Sequence, residues 1–253
     1  MNRPTNRKQQ NKKTSAALAV SLILILSLML FTIMSFVSFD QASNRFRTAA
    51  LDISLHETNF DRLSERDKTT LIPNKTLPKD PKVQNTDETD AFVFLKVTMP
   101  VYYVTKVADD GTKPEAQQRQ DAFFLKTEAN QNAAATDFNT VGASDEEHWV
   151  ELPGCETGTD YQSNIRTYVF GYNVYVRRGE MTETLFDYIE FKNLIQYEID
   201  PKESMNVQVK AYGIQADFLN DIQKGTDSQK AIMTEEQLTQ IYRLIGSNQE
   251  QGG

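Results

Sequence analysis

One cysteine and two histidines in 253 residues narrow the chemistry open to this chain before any motif is read. Cys155 has no second thiol to pair with, so an intramolecular disulfide is excluded and the fold must rest on its core. The chain has no glycine-rich phosphate loop, no Gly-x-Ser-x-Gly elbow and no calcium loop of EF-hand spacing. Positive charge is also scarce. Beyond position 37 the chain holds 22 Lys and Arg against 35 Asp and Glu, a net charge of -13. Binding to a phosphate backbone needs clustered Lys and Arg that displace counterions, so nucleic acid is not an expected partner. A soluble, self-repelling surface is the plainer reading.

The two histidines carry little catalytic promise. His56-Glu57-Thr58-Asn59-Phe60 opens like the zinc-protease pattern H-E-x-x-H, but Phe60 stands where the second ligand belongs. The segment also reads as a strand end, where residues i and i+4 do not share a helical face. His148 follows Asp145, Glu146 and Glu147, a trio better read as a solvated acidic loop than as a cation site. Cys155, in Pro-Gly-Cys-Glu, has no His partner and no basic neighbour to activate its thiol. No catalytic, cofactor-binding or metal residue is therefore assigned, and the chain is expected not to be an enzyme.

What the chain does have is an export signature. Arg3, Arg7, Lys8, Lys12 and Lys13 precede an uncharged run from Ala16 to Val37. Positive charge on that side keeps the N-terminus in the cytoplasm and places the rest outside. The length of the run suits a membrane span and its context suits a signal sequence. Cleavage between Val37 and Ser38, after small or medium residues at Ser35 and Val37, and retention as a signal anchor are the two outcomes. Residues 38–50 then form an N-terminal arm.

From residue 51 the pattern turns to period two. Leu51, Ile53 and Leu55 alternate with Asp52, Ser54 and His56, as in a half-buried strand. Asn59 to Lys82 reads as a proline-bearing loop with one helical turn at Ser64 to Lys68. Ala91 to Met99 is apolar on both faces, as an interior strand is, with a bend expected at Pro100 and a tight turn at Asp109-Asp110-Gly111. Residues 108–147 read as a polar surface insertion with one short strand, Ala122 to Leu125. His148 to Leu152 resumes the strands. Tyr168, Phe170, Tyr172, Val174 and Val176 then share one strand face. Thr184 to Phe191 is apolar without a clear period, and Val207 to Tyr212 is the last clear strand. Thr234-Glu235-Glu236-Gln237 is a capping box before Leu238, Ile241, Tyr242 and Ile245, a helix expected to end at Gly246. The sum is a mainly β chain: an antiparallel jelly-roll or Greek-key β-sandwich over 51–225. An N-terminal signal or transmembrane helix precedes it, and a short C-terminal helix and tail follow over 226–253.

Three stretches, in order, carry a family likeness. They are Ser38-Phe39-Asp40 through Asn44-Arg45-Phe46 to Leu51-Asp52-Ile53; Leu77-Pro78-Lys79-Asp80-Pro81 through Asp90-Ala91-Phe92-Val93; and Thr184-Leu185-Phe186-Asp187 with Val207-Gln208-Val209-Lys210-Ala211-Tyr212. Together they resemble the SipW-dependent exported proteins of Gram-positive bacteria, the TasA, camelysin and BsaA-like biofilm matrix family. The resemblance implies a secreted or cell-surface subunit, released by a SipW-type signal peptidase, that assembles with itself into extracellular fibres. It also implies that a freed N-terminal strand adds to the next subunit's sheet. The candidate arm is Ser38 to Phe46, with Asp40 and Asn44 in its motifs and Phe39 and Phe46 as pocket anchors. A membrane-anchored monomeric binding module is the alternative. The camelysin label of metallo-endopeptidase is not carried over, because the chain lacks a usable His pair.

Overall fold

The computed structural model describes residues 51–249 apart from 71, 109, 113–115, 141–145, 201–204, 220–224 and 227–228. The export run and the arm lie outside the described residues. In chain order the elements are β1 (Ile53–His56), α1 (Thr58–Asp61), α2 (Glu65–Thr69), β2 (Thr76–Pro78), β3 (Lys82–Asn85) and β4 (Ala91–Val104). Then follow β5 (Gln118–Asp121), β6 (Phe123–Lys126), β7 (Trp149–Glu151), β8 (Gly158–Asp160), β9 (Ile165–Tyr172) and β10 (Tyr188–Phe191). The chain closes with β11 (Gln208–Gln215), β12 (Gly225–Thr226), β13 (Gln229–Lys230) and α3 (Glu235–Gln249). The protein is mainly β, and its antiparallel sheets curl into a half-barrel.

β4 organises the rest. Its first part is the interior strand of a sheet ordered β11-β4-β9-β7, with β8 also pairing β9. Alternation along β4 sends Val93, Leu95, Val97 and Met99 into one core and Phe92 and Phe94 into another. β9 and the residues after it obey the same rule. Tyr168, Phe170, Tyr172, Val174 and Val176 all reach the first core, while Val169 and Tyr175 reach the second. The first core is closed by Leu77, Leu125 and Ile189 from a second sheet, ordered β2-β10-β6, and by Val83 from the β1-β3 pair. The second is closed by Leu238 and Ile241 of α3. The sheet therefore lies between a smaller sheet and a helix, and both its faces must be apolar.

Pro100 does not interrupt β4 as expected. The strand runs on, and the proline marks where its partners change. Through Thr98 it pairs β11, through Pro100 it pairs β9, and from Val101 to Val104 it pairs β5. Pro100 has no N–H to give, and its carbonyl accepts from Ala122 N at 2.9 Å. The turn after β4 forms as expected, with Gly111 at φ 82° donating its N–H to the Ala108 carbonyl at 2.9 Å.

Two local signals in the sequence are realised as hydrogen bonds. Ser64 Oγ accepts from Asp67 N at 3.2 Å and caps α2. Thr234 Oγ1 accepts from Gln237 N at 3.3 Å, and Gln237 Oε1 accepts from Thr234 N at 2.9 Å, the reciprocal pair that starts α3. The helix does not stop at Gly246 but continues to Gln249. A helical glycine costs only about 1 kcal/mol relative to alanine, too little to force an end where nothing else competes.

The stretch read as a polar surface insertion is more structural than its composition implied. It supplies two strands, β5 and β6, and all four residues of β6 are buried. Phe138 packs its ring against Tyr168, Phe170 and Phe186 at centroid separations of 5.0, 4.6 and 6.2 Å. The segment of unclear period resolves into buried Leu185 and Phe186 followed by β10, the interior strand between β2 and β6. Within the proline-bearing loop, Pro78 lies in β2 at the border of that sheet, the place where a strand tolerates a missing donor.

Candidate functional site

Val37, Ser38, Phe39, Asp40, Asn44 and Phe46, the expected cleavage point and arm, lie outside the described residues. The described chain takes up at Leu51, and its position is informative. A Cβ on Gly213 of β11 would lie 2.3 Å from Leu51 Cδ2 and 3.3 Å from Ile53 Cδ1, so the root of the arm is seated on β11. β11 borders its sheet. It pairs β4 over eight residues, from Gln208 opposite Thr98 to Gln215 opposite Ala91, and among the described residues no strand pairs with its other side.

The residues of the aborted zinc pattern come together differently. His56 ends β1 opposite Lys82, and its ring is half-buried where an exposed polar face was expected. Phe60 lies in α1, with the Lys79 ammonium 4.3 Å from its ring centre, so an aromatic–cation contact occupies the place of the second ligand. Lys79 Nζ also donates to Glu57 Oε2 at 2.6 Å in a pair whose side chains are only 6% and 16% exposed. Asp80 Oδ1 accepts from Asn59 N at 2.8 Å. His56 Nε2, Glu57 Oε1 and Asp80 Oδ2 are buried without a hydrogen-bonding partner. Of the three, Asp80 Oδ2 has the Lys82 ammonium 3.9 Å away. Among the described residues no three His, Cys, Asp or Glu side chains are placed to hold a metal ion together.

His148 and Cys155 are held by structure. The His148 ring nitrogen Nδ1 lies 2.8 Å from the Glu146 carbonyl and 3.0 Å from Asn173 Nδ2. Cys155 is 4% exposed beneath α3, and burial pushes its thiol up, with the Thr239 hydrogen bond and Arg243 only partly opposing. A thiol held protonated is a poor nucleophile.

A feature with no sequence signature lies on another part of the domain. Residues from β2, β5, β6 and β10 and from the loop after β4 line a groove of about 940 Å3. Its walls are rich in carboxamides, among them Asn74, Gln120, Asn132 and Asn193, and Phe124 forms part of them. Three ammonium groups converge on that ring: Lys192 at 4.1 Å from its centre, Lys106 at 5.7 Å and Lys126 at 5.8 Å. Lys126 Nζ is neutralised by Glu190 at 2.7 Å and also donates to the Gln131 carbonyl at 2.8 Å. Lys106 and Lys192 have no carboxylate at ion-pairing distance among the described residues. Lys192 is 7% exposed, and burial pushes its ammonium down to about 8. Asp121 opposes that fall, while Lys106 and Arg166 add to it. Sequence reading missed the groove because its walls are drawn from positions as far apart as 74 and 193.

No helix among the described residues is long and apolar enough to cross a membrane. Comparison of the chain with protein-family models, with curated proteins and with solved structures yields no match.

Proposed function

We propose that the chain is an exported structural subunit of the cell surface or extracellular matrix, a non-enzymatic protein of jelly-roll type that assembles with itself into fibres. In this reading a SipW-type signal peptidase cuts between Val37 and Ser38. The freed arm, Ser38 to Phe46, then adds as a strand along β11 of the next copy, with Phe39 and Phe46 anchoring it. The observation that supports it is the pairing of β11 on one side only among the described residues, with the root of the arm seated on Gly213 of that same strand. An unpaired strand edge is a template for another chain, and an extended segment that adds to it gains a row of main-chain hydrogen bonds. A contact of that head-to-tail kind does not close on itself, so it yields filaments.

The test has two parts. N-terminal sequencing of protein from culture supernatant is expected to begin at or near Ser38. Electron microscopy of the secreted protein is expected to show fibres that vanish when residues 38–46 are deleted. Fibres undiminished by the deletion would sink strand addition by this arm. A second reading, a membrane-anchored monomeric binding module, is favoured by the lysine-lined groove around Phe124. Recovery of only the intact chain from membranes, without fibres, would select it.

A further inference from the structure

We propose that the groove around Phe124 binds a segment of a hydroxyl-rich anionic polymer, a carboxylated or phosphorylated glycan, with Lys106 meeting its charge, Lys192 adding positive charge from beside the Phe124 ring, and the carboxamides meeting its hydroxyls. Three observations on this one surface converge.

The first is charge. The chain beyond residue 37 is strongly acidic, yet three lysines approach one ring here, and among the described residues only Lys126 is neutralised, by Glu190. Lys106, which lines the groove, has no carboxylate at ion-pairing distance among the described residues, and Lys192 adds charge beside the same ring that Asp121 only partly offsets, so the groove carries a positive potential that an anionic ligand would satisfy.

The second is the lining. Asn74, Gln120, Asn132 and Asn193 each offer both donors and an acceptor. That combination matches hydroxyls, which also donate and accept. It is poorly matched to an apolar ligand or to a fully ionic one.

The third is size and exclusion. A volume of about 940 Å3 holds several sugar units rather than a small ion. A nucleic acid would need surfaces on which its bases stack, and Phe124, the one aromatic ring in the lining, is only 8% exposed.

The experiment is a binding titration with the full-length chain in non-ionic detergent, using oligogalacturonate, polyglycerol phosphate and a neutral maltooligosaccharide of matched length. Saturable binding of at least one anionic polymer is expected, weakened by salt, with the neutral glucan not bound. Lys106→Gln is expected to weaken it roughly tenfold or more, as loss of one charge-assisted contact does. Lys192→Met serves as the second variant, with the circular dichroism of both variants required to match the parent. Preference for oligogalacturonate assigns the charge to carboxylate, and preference for polyglycerol phosphate assigns it to phosphate. Failure of both anionic polymers to bind, equal binding of the neutral glucan, or undiminished binding by Lys106→Gln overturns the proposal. None of these outcomes depends on fibre formation.

Discussion

Leu51 occupies space that Gly213 leaves empty: a Cβ at that glycine would come within 2.3 Å of the leucine methyl. The contact ties the first described residue of the chain to the middle of β11, and it holds only while position 213 has no side chain. Gly213→Ala is therefore expected to displace Leu51 and Ile53 and to destabilise the domain by about 1–3 kcal/mol, the usual cost of overpacking. Hydrogen exchange checks the cause as well as the size. The amides of β1 are expected to exchange faster while those of β9 change little.

The Glu57–Lys79 pair makes a sharper test of what buried charge does. Glu57→Ala strands an ammonium that is 6% exposed, with only the Phe60 ring left to receive it. A loss of about 3–5 kcal/mol is expected in urea denaturation. Glu57→Ala with Lys79→Met removes both charges and is expected to recover most of that loss.

Cys155 offers a direct readout of α3, since the thiol is buried beneath that helix. Ellman's reagent is expected to react with the native protein only slowly and with the denatured protein at once. Thr234→Ala removes the hydroxyl that caps the helix and is expected to cost about 1 kcal/mol. It is also expected to raise the labelling rate several-fold. Labelling unaffected by the loss of the cap would mean that the thiol is reached by another route.

Lys192 predicts a pH dependence whose sign is unusual for a surface lysine. Its ammonium titrates near 8 in the fold against an ordinary 10.5, so folding disfavours the charged form. The whole penalty applies below pH 8 and is relieved as pH rises above it. Tyr168 and Tyr172, pushed up to about 12 by burial, stay protonated through this window and begin to erode stability only above pH 10. Thermal stability is therefore expected to gain from pH 8 to 10 in the parent, over and above other titrations. Lys192→Met is expected to flatten that rise and to stabilise the protein at pH 7 by on the order of 1–2 kcal/mol. A parent and variant with identical pH profiles would show that Lys192 is not desolvated.

Much of the β domain was legible because its signals are local. Alternation in β4 and β9 told which residues share a face, and the two faces became two cores. The threonine cap of α3 was readable from a spacing of three residues, and the helical turn at Ser64 to Lys68 from its composition. What was not legible depends on partners distant in sequence. β10 has too little pattern of its own, because its place is set by β2 and β6 on either side. Phe138 falls in the stretch read as a polar insertion, and only the turn that bonds its neighbours Asp137 and Asn139 to the Leu125 and Leu185 carbonyls puts its ring in the core. The groove was invisible for the same reason. A single lysine at 192 says nothing until Phe124 and Lys106 are beside it. The expected arm lies outside the described residues, and the fold contributes only its root and the strand edge beside it.

The shared course of β4 has a mechanical meaning. A pull applied along β11 enters β4 through eight consecutive residue pairs and passes on to β9 through seven more. Strands that run side by side over such lengths resist by shear, in which many hydrogen bonds must yield together, rather than by peeling, in which they yield one at a time. The two faces of β4 are locked into separate cores, so sliding it would disturb both at once. Tension arriving along β11 is thus handed to the part of the molecule least able to give way.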